Sequence, residues 1–407
     1  MNKPILISKF KSMLIKNLKV SRLLSFGPQG IDLPMRSLNV FIGPNGSGKS
    51  NLIEVLNLLR YVPARFDSPI MSSGGMQEWR WKGEPVGSPS PASLEFLIDQ
   101  VDGSKNGIRH AFGIEAVNNW VLFDFERIEH EAPFPGESTP WQFYSMKHGE
   151  GILYDGEFNG QKKTRELGRS DLDPTQSILS QMKDPGRYKV FAFLENSYNR
   201  IRIYNEWTFG RAAIMRSTQK PDGPIDAMGA EGRNFVSIFS SMSRSESNRF
   251  VTELRNLYPD IINVRVAPSG GGAMRLFVEE REGIEIPAER LSDGTLRFMF
   301  LLAILLDPKP PRLIAIDEPE LGLHPDVIPK LADLLLEAST RTQIVVTTHS
   351  RMLVDALGDD PESVVVCEKH NGETTMTRLD SNDLEEWLKT YSLGDLWSKG
   401  EIGGNRW

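Results

Sequence analysis

Residues Gly43 to Ser50 read Gly-Pro-Asn-Gly-Ser-Gly-Lys-Ser, which fits G-x-x-x-x-G-K-[ST]. The flanks make this loop the strongest constraint on the fold. Residues 38–42 form an apolar run that reads as a buried strand, and Leu52, Val55, Leu56 and Leu59 then recur at helical spacing. Strand, loop and helix in that order aim backbone N–H groups and a positive helix end at one anion. Gly43, Gly46 and Gly48 allow backbone angles closed to other residues. The loop from Gly43 to Asn51, with Pro44, Asn45 and Ser47 between the glycines, can therefore wrap a polyphosphate. Lys49 is expected to reach the β- and γ-phosphates of ATP, and the Ser50 hydroxyl to ligate Mg²⁺. A plain glycine turn would not account for the strand, the Lys-Ser pair and the helix together.

Three further stretches carry chemistry. The apolar residues 313–316 are followed by Asp317 and Glu318. A buried strand that ends in carboxylates delivers them to the carboxyl edge of a sheet, where phosphates sit. Asp317 would hold Mg²⁺ through water, and Glu318 would accept the proton of an attacking water. Alone, two acids after a strand read equally well as a turn or a helix start; the Lys49 loop favours the catalytic pair. Thr347-Thr348-His349-Ser350 follows the apolar stretch 343–346, which places His349 to hydrogen-bond a γ-phosphate. A lone His is more often a surface residue. Ser292-Asp293-Gly294-Thr295 opens a long apolar helix, 296–306. There Ser292 is a good N-cap, and Gly294 lets the backbone approach an anion. Taken alone, that motif reads as a capped core helix.

The 407 residues can hold one large α/β domain with an insertion, or two domains. The net charge of −7 gives no overall basic field for nucleic acid. Lys3, Lys9, Lys11, Lys16, Lys19 and Arg22 nevertheless precede the first acid. They read as a solvated strand edge or, more sharply, as a basic patch. Cys367 is the single cysteine, so no intrachain disulfide forms, which suits a reducing cytosol. No signal peptide or membrane-spanning run is expected. Strands are expected at 13–20, 31–38, 92–99 and 120–128, with a charged turn at Asp102, Gly103 and Gly107. Residues 61–92 read as loops and 131–175 as irregular. Helical spacing appears between 176 and 258, and Ser269-Gly270-Gly271-Gly272 signals a hairpin. From 313 onward, strand and helix alternate, which predicts a mostly parallel sheet.

These pieces, in this order, resemble the ABC-type ATPase module. The Ser-Asp-Gly-Thr variant, the run from Ile316 to Pro325 and the Thr-Thr-His-Ser motif resemble its OLD/RecF-like branch, many members of which are stand-alone bacterial AAA-family ATPases. The resemblance implies an α/β P-loop head with a mixed sheet and an inserted, partly helical subdomain. The expected divisions are 1–130, 131–285 and 286–407. It also implies a head-to-tail homodimer that sandwiches ATP, with Ser292, Asp293 and Gly294 of one copy completing the site of the other. Such a unit can build into a higher oligomer. The family places a Gln after the first sheet to couple Mg²⁺ to the inserted region, and Gln77 is the candidate. The implied role is a cytoplasmic ATP-driven switch beside a separate effector protein, in anti-phage defence or DNA maintenance, with nucleic acid as a further partner and no membrane. The alternatives are a scaffold that holds nucleotide with little turnover and sequesters an effector, and a transporter nucleotide-binding subunit.

Overall fold

The computed structural model describes residues 13–83, 90–99, 106–118, 120–158, 161–208 and 210–404. Lys3, Lys9, Lys11, Asp102 and Gly103 lie outside them. The chain divides into two compact units that interleave along the sequence. One holds residues 13–201 and 365–379; the other holds 202–364 and 380–401.

The first unit is built on an eight-stranded sheet in the order Ile31–Pro34, Ile15–Ser21, Ala92–Ile98, Ile108–Val117, Trp120–His130, Gln142–Lys147, Glu150–Phe158, Gln161–Leu167. Every pairing is antiparallel. Alternation is clean in Ala92–Ile98, where Ala92, Leu94, Phe96 and Ile98 are buried and the residues between are half-exposed. That period of two packs one face of the sheet and wets the other. Phe66, Phe112 and Phe123 fill the packed side, with ring centroids 4.7–5.7 Å apart. The region expected to be irregular, 131–175, supplies the last three strands of this sheet. They stayed hidden because Gly, Pro and charge dominate their connections and their outer face. Residues 61–92, read as loops, contain two short helices, Asp67–Ser72 and Met76–Trp79. The expected strand 31–38 stops at Pro34, and Leu38–Ile42 belongs to a different sheet, hydrogen-bonded to Val364–His370. That strand pairs in turn with Glu373–Arg378.

A closed polar network sits in the core of this unit. His110 and Glu126 are fully buried. His110 Nε2 lies 3.0 Å from Glu126 Oε1, and Nδ1 lies 3.0 Å from the Tyr198 hydroxyl. Glu126 also accepts from the Ser177 hydroxyl and from the Ile178 N–H at 2.8 Å. The carboxylate thus ties the sheet to the start of helix Ile178–Gln181.

The second unit carries a βαβ piece: Leu313–Asp317 and Gln343–Thr347 run parallel, joined through helix Ile328–Ala338. Strand Ile201–Tyr204 flanks Leu313–Asp317. The Gly-rich hairpin appears as expected, with Ile261–Pro268 antiparallel to Met274–Glu280. Helix Arg244–Leu254 starts at a capping box of Ser243 and Glu246. Helix Asp293–Leu305 is buried almost all round.

Replacing Glu126 by Ala would leave His110, Ser177 and the Ile178 N–H without their buried acceptor. The expected loss is about 3–5 kcal/mol of stability, measured as the shift in a urea unfolding curve of Glu126→Ala against wild type.

Candidate functional site

The glycine-rich loop lies in the first unit, between strand Leu38–Ile42 and helix Lys49–Tyr61. Gly43, Gly46 and Gly48 have φ of 147°, 79° and 101°, so the backbone takes the angles that the sequence reserves for glycine. Space adds a second reason at two of them. A Cβ on Gly43 would stand 2.2 Å from the Cys367 carbonyl oxygen, and one on Gly48 would stand 2.3 Å from Thr374 Oγ1. The Thr374 hydroxyl lies 3.0 Å from the Ser47 carbonyl and 2.7 Å from the Ser25 hydroxyl, which also accepts from Asn51 Nδ2. Lys49 is buried, and its ammonium donates to the carbonyls of Gly43 at 2.7 Å and Pro44 at 3.0 Å. Burial pushes the Cys367 thiol up to about 12, against the pull of the Lys49 charge, so this sulfur is inert at neutral pH.

The loop fits a polyphosphate on its own terms. Helix Lys49–Tyr61 is 13 residues long, with no side-chain cap and no acid in its first turn. The Ser47 hydroxyl is buried without a hydrogen-bond partner. Ser50 and Asn45 are exposed. Gln77 sits on the exposed side of helix Met76–Trp79, and its carbonyl accepts from Lys82 Nζ at 2.7 Å.

The second unit gathers the acids and the histidine. Asp317 ends strand Leu313–Asp317 and accepts from the Thr347 hydroxyl. Glu318 has φ 46°, a left-handed conformation uncommon for a residue with a side chain. Its N–H donates to the Thr347 carbonyl at 3.1 Å. Its own carbonyl accepts from Arg297. The His349 Nε2 lies 3.5 Å from Glu318 Oε1. Glu320 takes the N–H of His349 at 3.0 Å, and burial raises its pKa. The structure thus brings Asp317, Glu318 and His349 together. Strain of this kind, about 1–3 kcal/mol, persists where surrounding contacts over-determine it.

Two residues outside the motifs do that work. Arg297 is buried on helix Asp293–Leu305, and its guanidinium lies 3.7 Å above the Trp207 ring. Burial lowers its pKa to about 10, while Glu320, Glu318 and Asp317 pull it back up, so it stays charged at neutral pH. Trp207 Nε1 in turn donates to the Asp317 carbonyl at 2.9 Å. Arg297 left a trace in the sequence: it is a lone cation inside an apolar helix, and a buried charge demands partners. Trp207 left none.

Ser292 caps that same helix, accepting from the Thr295 N–H at 3.0 Å. Asp293 is held by Arg216 at 2.6 Å and by the Gly210 N–H at 3.0 Å, and the Arg216 bond leads the causes that lower its pKa. A Cβ on Gly294 would stand 2.7 Å from the Gly322 carbonyl, so this glycine marks a close approach of two backbones.

A phosphate-binding loop after a buried strand, and an Asp-Glu pair ending a second one with a histidine beside it, define an ABC-like P-loop ATPase. Residues 38–355, more than half of the chain, match the family described as "AAA domain, putative AbiEii toxin, Type IV TA system", and the chain belongs to that family. The fold is similar to the Smc head domain with an extended coiled coil bound to the C-terminal domain of ScpA from Pyrococcus furiosus. That similarity has a TM-score of 0.52 and 13% identity over 92% of this chain and 98% of that one. The Smc head domain with a coiled coil and joint from Pyrococcus yayanosii aligns with a TM-score of 0.48 and 11% identity over 92% and 99% of the two chains. The Thermotoga maritima SMC head aligns at 0.41 and 15% over 90% and 100%. The fold comparison rests on the first of these. No curated protein sequence matches the chain.

Gly48→Ala would put a side chain into the left-handed region and against Thr374 at once. ATP affinity is expected to fall about tenfold or more, read by equilibrium binding of a fluorescent ATP analogue to the variant and wild type.

Proposed function

We propose that the chain hydrolyses ATP as a head-to-tail dimer and acts as a switch on a separate effector protein. The observation that carries this reading is Glu318, held in a strained backbone conformation beside His349 by contacts from Thr347 and Arg297. A carboxylate fixed at that expense suits a base more than a solvated turn.

In the proposed reaction, Gly43, Pro44, Asn45, Gly46, Ser47 and Gly48 wrap the phosphates with backbone groups. Lys49 leaves the loop carbonyls for the β- and γ-phosphates. Ser50 and Asp317 would hold Mg²⁺, which supplies charge neutralisation at the phosphates when bound. Gln77 would couple this ion to the inserted region. Glu318 takes a proton from the attacking water as the new P–O bond forms and the β–γ bridge breaks. His349 orients the γ-phosphate. Ser292 and Gly294 of a second copy would meet the same phosphate with a helix start. Asp293 is tied to Arg216, so its charge is spent inside its own subunit rather than set against the nucleotide.

The finer reading places the chain in the OLD/RecF-like branch, supported by its Ser-Asp-Gly-Thr signature. A two-component defence or DNA-maintenance system in the cytoplasm is supported by the toxin–antitoxin wording of the family. The ScpA-bound Smc head is a precedent for an ATPase head that engages a second protein. We place the partner-facing part within residues 131–285. No helix among the described residues is long and apolar enough to cross a membrane.

Glu318→Gln is expected to keep ATP binding and lose about 10²–10⁴-fold in turnover, measured by steady-state phosphate release. Equal rates would remove Glu318 from the mechanism, and a wild type without turnover would favour the scaffold alternative. With ATP, the same variant should run as a dimer in light scattering; a monomer would end the head-to-tail reading.

A second test concerns positioning. Trp207→Phe keeps a ring under Arg297 but removes the donor to the Asp317 carbonyl. The turnover number should fall about tenfold to a hundredfold with the KM for ATP little changed; a shift in KM alone would count against it.

A further inference from the structure

The antiparallel unit contains a cavity of about 400 Å³. It opens where strands Trp120–His130 and Gln142–Lys147 meet the start of helix Lys189–Asn199. Its walls are aromatic. The His130 ring stands edge-on to Phe134 and to Phe143, each at 4.9 Å. Trp141 and Tyr154 lie 6.4 Å apart on the same lining. Phe134 is 45% exposed, so one aromatic face is offered at the rim. The charged residues that line it, Arg187 and Lys189, are both cations, and no acid joins them. The positive end of the 11-residue helix Lys189–Asn199 faces the same space, since Lys189, Val190 and Phe191 belong to the lining.

His130 is part of that wall: its ring packs against Phe134 and Phe143, and burial holds its pKa below the ordinary value.

We propose that this cavity binds a nucleobase together with its phosphate, stacked on Trp141 and the neighbouring rings, with Arg187 and Lys189 on the phosphate. Aromatic stacking alone would suit any planar ligand. The two cations and the helix end restrict it to an anion, and the ring-lined wall favours one that carries a planar base. The base can come from a single strand or from a free nucleotide. The site lies apart from the glycine-rich loop residues and does not rest on the ATPase reading.

The test is fluorescence anisotropy of a labelled single-stranded oligoadenylate, with no ATP present, on full-length wild type, Trp141→Ala, Trp141→Phe and Arg187→Glu. Trp141→Ala is expected to weaken binding about tenfold or more. Trp141→Phe should bind nearly as wild type, and Arg187→Glu should lose affinity and salt dependence together. Competition by unlabelled AMP would assign the pocket to free nucleotides; competition only by unlabelled oligomer would assign it to a strand. Unchanged far-UV circular dichroism and urea midpoints show that the variants are folded. Absence of oligonucleotide and AMP binding to wild type overturns the proposal. So does binding that is indifferent to Trp141→Ala, or equal for duplex and single strand.

Discussion

The phosphate-binding loop holds its shape because two glycines leave no room for anything else. Gly43 is backed by the Cys367 carbonyl and Gly48 by Thr374, both on the hairpin formed by Val364–His370 and Glu373–Arg378. Thr374 and Ser47 are 327 residues apart in sequence. The loop is therefore not a local motif that happens to sit in a fold. Residues 367–374 stand directly behind it, which leaves no room for a side chain at Gly43 or Gly48. Lys49 closes the turn from within, its ammonium bonding the Gly43 and Pro44 carbonyls.

The second unit is organised by a different cost. A guanidinium buried on helix Asp293–Leu305 would be untenable without compensation, and Arg297 obtains it from the Trp207 face and the field of Asp317, Glu318 and Glu320. In return it fixes the Glu318 carbonyl, and Trp207 fixes that of Asp317. The signature helix and the acidic strand end are thereby one mechanical piece. The same helix begins at Ser292, so a force on its first turn bears on the residue that holds Glu318. Asp293 does not disturb this arrangement, because Arg216 neutralises it and also donates to the carbonyls of Ala288, Glu289 and Leu291.

What the sequence disclosed follows from what each signal depends on. Positive φ at Gly43, Gly46 and Gly48, the capped helix at Ser292 and the carboxylates after 313–316 are local consequences of residue type and spacing, and they appear in the structure as read. The hairpin at Ser269–Gly272 was legible for the same reason. The strands Gln142–Lys147, Glu150–Phe158 and Gln161–Leu167 were not. They lie toward the edge of the sheet, Gly151 interrupts the second of them, and the third, Gln161–Leu167, is mostly polar in sequence. Thr374, Trp207 and Arg216 were invisible because their roles are contacts across long sequence separations, which spacing cannot encode. Arg297 lay between these cases: its burial could be foreseen from the helix around it, its partners could not.

The glycine-rich loop and the aromatic pocket of the antiparallel unit are joined through two packed helices. Helix Lys49–Tyr61, which begins at the phosphate loop, packs on helix Lys189–Asn199, whose first turn lines the aromatic pocket. The contact is reinforced at the far end, where Lys183 Nζ donates to the Pro63 carbonyl at 3.1 Å and pairs with Glu195. Both helices start at an anion-favouring end, and both bury a continuous apolar face, so neither can shift without displacing side chains of the other. Closely packed interiors respond to such displacement by changing between discrete arrangements rather than by bending smoothly. A ligand that ordered one helix start would therefore act on the other through packing alone. By linkage, the influence would have to be the same in both directions.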